Sequence, residues 1–287
     1  MQLLLCTDLD RTVLPNGPQP ESDTARSRFA ALAARPEVTL VYVTGRDQQL
    51  VRKAITNYCL PRPDYVISDV GTMIYKTAAD NWQPWQQWQQ EIAPDWAGLG
   101  HRDIRNLLLD ITDLQQQEQA KQNLHKSSYY VPLYADTEAL SHEIHQRLEA
   151  NDISASLVWS IDEPRGTGLL DVLPASASKK HAVAFLMQRQ GFTLDDTVFA
   201  GDSGNDLPVL ASEIPAVLVA NASAEVRRAA LAEAAAQGHA DTLYIAQGDF
   251  MDMNGNYSAG VLEGVVHFKP ETRHWMMGNS NTVHKNA

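Results

Sequence analysis

The chain has 287 residues, enough for one large domain or two modest ones, each with its own hydrophobic core. Apolar residues make up 44% of it and charged residues 20%, as in ordinary soluble globular proteins. A formal net charge of −12 argues against nucleic acid or an anionic membrane as a partner, because both are bound by basic surfaces. The two cysteines, Cys6 and Cys59, are too few for a disulfide framework and favour a reducing, cytoplasmic location.

Short apolar segments alternate with helical patterns over much of the chain. The apolar segments are residues 3–7, 38–44, 65–68, 169–173, 197–200 and 216–219, and helical patterns cover residues 47–58, 179–190 and 223–237. Unbroken apolar strands that alternate with helices indicate a parallel sheet covered on both faces. We therefore predict an α/β fold with a doubly wound, Rossmann-like core, whose ligands bind beyond the carboxyl ends of the strands.

The alternation changes between about Lys76 and Pro164. This stretch contains a Trp/Gln-rich part, a Gln-rich helical pattern at residues 113–122, the strand-like "KSSYYVPL", an amphipathic helix near residues 139–148 and the strand-like "SASLVWSI". These patterns predict a smaller α+β cap at residues 77–164, inserted into a core made of residues 1–76 and 165–287. The tryptophans at positions 82, 85, 88 and 96 are expected to pack inside the cap.

The first apolar segment runs into "CTDLDRT", residues 6–12. In an extended backbone alternate side chains share a face, so Asp8 and Asp10 point the same way. Two carboxylates this close raise each other's pKa unless a cation lies between them. The pair therefore indicates a metal ion or a reacting group.

Other strand ends and helix starts carry matching chemistry. The second segment ends in "VTGR" at Thr44, a helix begins at Lys179, and the segment near residue 198 ends in "AGDSGND". All of these would meet at the carboxyl edge of the sheet. The carboxylates of Asp8, Asp10 and Asp202, with Asp206 behind them, form an all-oxygen site for a hard cation such as Mg²⁺. Thr44 and Lys179 supply donors for phosphate oxygens.

These motifs, in this order, resemble those of the haloacid dehalogenase-like phosphohydrolases. The position of the insertion, between the Thr44 and Lys179 motifs, is similar to that of members with a type IIB (Cof-like) cap. Within that group "ISDVGTMIY", "HKSSYY" and "AGDSGNDLPVL" are most similar to sucrose-phosphate phosphatases and neighbouring sugar phosphatases. "GDFMDMNGN", residues 248–256, looks like an added loop.

The resemblance implies a role for each matching position. Asp8 would attack phosphorus and form an aspartyl-phosphate, and Asp10 would act as the general acid and base. Mg²⁺ would be bound by the Asp8 carboxylate, the Asp10 backbone carbonyl and Asp202, with Asp206 nearby. Phosphate-binding residues would be Thr44, Gly45, Lys179 and Asn205. Arg46 and Lys126 would contact the substrate, Lys126 from the cap.

The expected substrate is a small-molecule sugar phosphate, with sucrose 6-phosphate as the leading candidate. The chain departs from sucrose-phosphate phosphatases at Asp47, where serine usually follows Thr-Gly-Arg, and at Thr72-Met73, where Ser-Glu is usual. Mannosylfructose phosphate, glycosylglycerate phosphates and kanosamine 6-phosphate therefore stay open as substrates. A sugar phosphomutase, a catalytically silent regulatory domain and a phosphate-accepting receiver domain are rival functions. A monomer or small homo-oligomer is expected.

Overall fold

The computed structural model describes residues 2–78, 81–162 and 165–277. Its strands are β1 Leu3–Thr7, β2 Val38–Val43, β3 Tyr65–Ser68, β4 Met73–Ala78, β5 Asn81–Pro84, β6 Gln115–Gln116, β7 Ser127–Val131, β8 Ala155–Asp162, β9 Thr167–Pro174, β10 Thr197–Gly201, β11 Ala216–Leu218 and β12 Leu243–Ile245. Its α-helices are α1 Ala25–Ala33, α2 Gln48–Asn57, α3 Gln86–Ile92, α4 His101–Leu107, α5 Thr137–Glu149, α6 Lys179–Gln190, α7 Leu207–Leu210, α8 Ala224–Gln237 and α9 Ser258–Phe268. Within this part of the chain, no helix is both long enough and apolar enough to cross a bilayer.

The larger sheet has the strand order β12-β11-β10-β1-β2-β3-β4-β5. Its strands are parallel from β12 to β3, and β4 and β5 are antiparallel additions at one edge. Side chains of β1 alternate between two cores: Leu3 and Leu5 pack with α1 and α9, whereas Leu4 and Cys6 pack with α6 and α7. A strand covered on both faces must be apolar throughout, which is why residues 3–6 read as an unbroken apolar run. The predicted doubly wound core is confirmed.

The smaller sheet is antiparallel, in the order β6-β7-β9-β8. Leu170 and Val172 of β9 point to the face that packs against α4 and α5, where Ile104 and Ile144 complete a separate hydrophobic core. The prediction that residues 169–173 form a core strand was wrong, because this run pairs with β7 and β8 in the cap. An apolar run reveals burial but not the sheet in which a strand is buried.

The other cap predictions had mixed outcomes. The strands predicted from "KSSYYVPL" and "SASLVWSI" and the helix between them are observed as β7, β8 and α5. The Gln-rich segment at residues 113–122 is not an α-helix; it forms the short strand β6 and a 3₁₀ turn at Gln119–Lys121. Helix propensity without an apolar stripe does not hold a helix in place, because tertiary packing supplies most of its stability.

The tryptophans divide between the two units instead of packing together in the cap. Trp96 lies in the cap core, but Trp82, Trp85 and Trp88 pack against the core domain. Trp88 is fully buried, lies across Phe185 of α6 and donates its indole N–H to the carbonyl oxygen of Gly71 at 3.0 Å. Trp85 and Trp88 pack against the core domain because β5 extends the large sheet. The following helix α3 therefore lies on the same surface as α6. The boundary predicted at residue 76 therefore falls before a strand of the large sheet.

We expect Trp88→Ala to lower the free energy of unfolding by about 3–5 kcal/mol, because it leaves a cavity between α3 and α6. Trp88→Phe keeps most of the packing and loses the indole hydrogen bond, so it should cost about 1 kcal/mol. Urea unfolding measures both values. Gln90→Ala, at an exposed position of the same helix, is the control and should change little. A small loss for Trp88→Ala would show that α3 does not anchor the insertion to the core.

Candidate active site

Asp8 and Asp202 follow two neighbouring strands of the large sheet. β1 ends at Thr7 and β10 ends at Gly201, and these strands pair in parallel. The amide of Asp8 donates to the carbonyl oxygen of Ala200 at 2.8 Å, which continues the pairing one residue past β1. Because parallel strands end at the same edge of a sheet, the structure brings these two buried carboxylates together.

Lys179 is the cation at the centre of this cluster. It is the first residue of α6, whose N-terminus is capped by the side chain of Ser178. Its Nζ lies 3.1 Å from Oδ1 of Asp8, 2.7 Å from Oδ1 of Asp206 and 3.3 Å from Oδ1 of Asn205. Burial alone would lower the pKa of Lys179, but Asp206 and Asp8 raise it above its ordinary value. The buried ammonium therefore stays charged.

Asp206 holds the loop that carries Asp202. Its Oδ2 accepts hydrogen bonds from the amides of Asp202 and Ser203, each at 3.1 Å, and from the Ser203 hydroxyl at 2.9 Å. The loop passes so close that a Cβ on Gly201 would lie 2.6 Å from Cγ of Asp206. With Oδ1 bound to Lys179, both oxygens of Asp206 are engaged. This residue therefore positions its neighbours.

The carboxylates repel one another strongly. Burial and the charge of Asp206 raise the pKa of Asp202 to about 7. Burial also raises the pKa of Asp8 well above its usual range, against the opposing effect of Lys179. Oxygen atoms of these three carboxylates all lie within 4.8 Å of one another, the one such group among the described residues. Clustered carboxylate oxygens are the donors that Mg²⁺ prefers, so the residues fit the cation that the resemblance implies.

Asp10 faces Arg46, which lies in the turn between β2 and α2. Nε and Nη2 of Arg46 lie 2.7 and 2.5 Å from the two oxygens of Asp10. The amide of Asn16 donates to Oδ1 of Asp10 at 2.7 Å, and its own oxygen accepts from the backbone N–H of Arg11 at 2.8 Å. Burial opposes these contacts, but together they hold the pKa of Asp10 below its usual range. Arg46, predicted to bind substrate, here orients a carboxylate.

Thr44 and Gly45 follow β2, the other neighbour of β1. The register aligns Thr7 with Tyr42, so residue 44 reaches the same edge of the sheet as Asp8. Thr44 is buried, and its hydroxyl accepts from the backbone N–H of Arg46 at 3.2 Å. Gly45 is exposed and lines the cavity described next. Thr44 and Gly45, both predicted to bind phosphate, thus lie at the same edge of the sheet as the carboxylate cluster.

A cavity of about 620 Å³ separates these residues from the cap sheet. Its core side is lined by Gly45, Asp47, Val70, Ser203, Gly204 and Asn205. Its cap side is lined by residues that include Gln117, Lys121, Lys126, Tyr130, Trp159, Arg165 and Asp171. The volume lies within the range of sites that bind small organic ligands. The cap sheet thus forms a roof over the predicted phosphate site.

Lys126 lines the cavity, but its ammonium is also part of an ion pair between cap and core. Nζ lies 3.0 Å from Oδ1 of Asp69, and both side chains are almost completely buried. Burial would lower the pKa of Lys126, whereas Asp171 and Asp69 raise it above its ordinary value. The neighbouring Asn123 donates to the hydroxyl of Thr72 at 2.9 Å. This segment of the cap is therefore fastened to the turn after β3.

Several residues of the site were missed in the sequence. Asn16 lies in a loop whose composition indicates only a turn, so its contact with Asp10 left no signal. Asp69 directly follows β3, just as polar residues follow β1 and β2. This position alone could have assigned Asp69 to the carboxyl edge of the sheet. Asp171 is a lone acid inside the apolar strand β9, and an acid in such a position indicates a functional contact.

A family model described as sucrose-6F-phosphate phosphohydrolase matches residues 1–269. The chain belongs to this family. A putative haloacid dehalogenase-like hydrolase of Nitrosococcus oceani is 53% identical over 275 residues, covering 96% of this chain and 74% of the relative. The mannosylfructose-phosphate phosphatase of Agrobacterium fabrum is 32% identical over 268 residues, covering 92% of this chain and 96% of the relative. The X-ray structure of the sucrose-phosphatase from Synechocystis sp. PCC6803, in complex with sucrose and phosphate, has 25% identity and a TM-score of 0.71, covering 93% of this chain and 98% of that one.

These similarities confirm that the protein is a haloacid dehalogenase-like sugar phosphatase. As a member of the sucrose-6F-phosphate phosphohydrolase family, it is a phosphoric monoester hydrolase whose substrate is a small sugar phosphate. The rival functions of a silent regulatory domain and a receiver domain do not fit this membership.

We expect Gly201→Ala to lower kcat/KM for p-nitrophenyl phosphate by about a hundred-fold, because the new Cβ displaces the carboxylate of Asp206 from Lys179. Steady-state kinetics with a thermal unfolding curve give the result. Gly204→Ala is a matched control in the same loop, since its Cβ would meet nothing within 4 Å. Similar kinetics for the two variants would contradict the role assigned to Asp206.

Proposed function

We propose that this phosphatase hydrolyses sucrose 6-phosphate to sucrose and phosphate, with Mg²⁺ and through an aspartyl-phosphate on Asp8. The observation that carries the proposal is the contact of the buried Lys179 with Asp8 and Asp206 beside a cavity large enough for a disaccharide phosphate. The 25% identical sucrose-phosphatase, solved in complex with sucrose and phosphate, supports the choice of substrate.

In the first step the carboxylate of Asp8 attacks phosphorus, a P–O bond to Asp8 forms and the P–O bond to the sugar breaks. Lys179 neutralises charge on the phosphoryl oxygens while Asp206 keeps its ammonium in place. Thr44, Gly45 and Asn205, which surround the same crevice, hold the remaining phosphoryl oxygens. In the second step water displaces the carboxylate of Asp8 and releases phosphate.

Asp10 donates a proton to the departing sugar oxygen and later accepts one from the attacking water. The contact with Arg46 lowers the pKa of Asp10 in the structure. Asp10 must therefore lose part of this contact in order to carry a proton. Arg46 lies between the cavity-lining residues Gly45 and Asp47, so the substrate's phosphate can draw the guanidinium away. The pKa of Asp10 then rises towards the range in which it is partly protonated. Arg46 thus acts as both a substrate ligand and a switch for the acid.

The residues that would hold Mg²⁺ are Asp8 and Asp202, with the backbone carbonyl of Asp10. Asp206 would act beside them, because both of its oxygens accept hydrogen bonds from the protein. When bound, a divalent cation neutralises the repulsion between the nucleophile and a phosphate dianion. The elevated pKa of Asp202, about 7, is consistent with a carboxylate that is built to face a cation.

Mannosylfructose phosphate is the second candidate substrate, because a phosphatase named for it is 32% identical and nearly the whole of both chains aligns. Phosphate release should be measured with Mg²⁺ over sucrose 6-phosphate, mannosylfructose phosphate, a glycosylglycerate phosphate and kanosamine 6-phosphate. The highest kcat/KM for sucrose 6-phosphate would support the proposal. A tenfold or greater preference for another member would reject sucrose 6-phosphate as the substrate.

We expect Asp8→Asn to abolish turnover of every phosphate ester, because the amide is neither a nucleophile nor an anionic metal ligand. Removal of Mg²⁺ with EDTA should abolish wild-type activity, and added Mg²⁺ should restore it. Phosphate release measures both effects. Asp249→Asn, an exposed carboxylate on the loop after β12, is the matched control and should retain activity. Substantial turnover by Asp8→Asn would remove Asp8 from the mechanism.

Asp10→Asn should lower kcat/KM for a sugar phosphate by about 10²–10⁴-fold, the usual contribution of general acid–base catalysis. The loss in the phosphorylation step should be smaller for p-nitrophenyl phosphate, because its leaving group needs little protonation. The measurement is kcat/KM for both esters in wild type and variant. Equal losses on the two esters would argue against Asp10 as the acid.

A further inference from the structure

The cap sheet has two different faces. Leu170 and Val172 of β9 point into the cap core, so Leu169 and Asp171 point the other way, towards the cavity. On this face Asp171 lies directly between its cross-strand partners Ser128 of β7 and Val158 of β8. Asp171 is therefore the carboxylate at the centre of the roof, opposite the phosphate-binding loops.

One oxygen of Asp171 is occupied and the other is available. Oδ1 accepts a hydrogen bond from the hydroxyl of Ser128. Among the described residues, the side chain of Asp171 makes this one hydrogen bond. Asp171 also lines the cavity together with Lys126, whose ammonium binds Asp69. Two carboxylates thus face one ammonium, and this region of the cavity carries no surplus positive charge.

The other cations of the cavity wall are compensated as well. Nζ of Lys121 lies 3.4 Å from Asp47, and Nε of Arg165 lies 3.7 Å from Asp162. Within the described residues, each basic side chain on the cap side of the cavity therefore has an acidic partner. A substrate carboxylate placed among these residues would find no free cation, and at the centre of the roof it would face Asp171.

We infer that Asp171 is a specificity-determining residue, which accepts a hydrogen bond from a sugar hydroxyl and excludes phosphate esters that carry a carboxylate. This inference rests on the proposed function, which places the phosphate of the substrate next to Asp8 and Lys179. It adds the chemical class of the rest of the substrate. The part of the substrate beyond the phosphate is an uncharged polyol, such as the second ring of a disaccharide. Glycosylglycerate phosphates, which bear a carboxylate, are outside this class.

The test compares Asp171→Asn with wild type on three esters: sucrose 6-phosphate, a phosphorylated glucosylglycerate and p-nitrophenyl phosphate. Asparagine keeps the contact with Ser128 but removes the charge that opposes a carboxylate. We expect kcat/KM for sucrose 6-phosphate to fall about ten- to a hundred-fold, the value of a hydrogen bond to a charged group. The variant should hydrolyse the glucosylglycerate ester faster than wild type does. Without the charge of Asp171, the carboxylate of this ester is repelled less and is attracted more by the ammonium of Lys126. Turnover of p-nitrophenyl phosphate should be unchanged.

The ratio of kcat/KM for the neutral ester to that for the acidic ester is the deciding quantity. An unchanged ratio in Asp171→Asn would overturn the inference, as would wild type that prefers the acidic ester. Glu149→Gln, an exposed acid at the end of α5, is the matched control and should leave the ratio unchanged. If another uncharged sugar phosphate replaces sucrose 6-phosphate as the best substrate, the proposed substrate fails while the charge selection stands.

A measurement on wild type keeps the inference testable if Asp171→Asn fails to fold. Sucrose and unphosphorylated glucosylglycerate are added separately as inhibitors of p-nitrophenyl phosphate hydrolysis, with phosphate present. We expect sucrose to inhibit at a concentration at least tenfold lower than the acid. Equal inhibition, or stronger inhibition by the acid, would overturn the role of Asp171.

Discussion

The contact of Lys179 with Asp8 and Asp206 is the interaction on which the active site depends. Carboxylates buried at one edge of a sheet repel each other, and burial together with this repulsion raises the pKa values of Asp8 and Asp202. A buried ammonium offsets part of it, and the helix start that carries Lys179 is fixed by a capping serine. The α/β core supplies the geometry, because parallel strands and the following helices meet at one edge.

The basic side chains on the cap side of the cavity also occur in ion pairs. The pairs Lys126–Asp69 and Lys121–Asp47 also cross from cap to core, so the cap is fastened by charge beside the substrate. The buried pair Lys126–Asp69 contributes little net stability, because desolvation offsets its attraction, and the partly exposed pair Lys121–Asp47 is weakened by solvent screening. The pair Lys126–Asp69 does specify one arrangement, since either member without its partner would be a buried charge. The specificity that we propose, for an uncharged sugar, follows from a wall whose own charges are already compensated.

The large sheet and its catalytic edge could be predicted from the amino-acid sequence, because both depend on local signals. Apolar runs mark the strands, and polar residues directly after them mark the carboxyl edge, so these patterns alone suffice to assign Asp8, Thr44 and Asp202 to that edge. The cap was harder, since strand β9 looks like a core strand and pairs elsewhere. The contacts of Lys126 with Asp69 and of Arg46 with Asp10 join distant segments, and composition carries no information on such pairings. Helix propensity also gave a wrong prediction at residues 113–122, because this segment has no apolar stripe that could hold an α-helix against the rest of the protein.

The net charge of −12 gives the cap a further physical role. A phosphate dianion is repelled by an acidic protein at long range, and salt screens that repulsion beyond about 8–10 Å. Binding therefore depends on short-range contacts, and in the proposed mechanism the main attraction comes from Lys179, whose burial limits screening by solvent. The cap sheet forms a roof over the crevice, and in the proposed mechanism it limits the access of bulk water to the aspartyl-phosphate on Asp8. In the proposed mechanism, an acidic enzyme can bind an acidic substrate because the ammonium of Lys179 is buried and is not displayed on the surface.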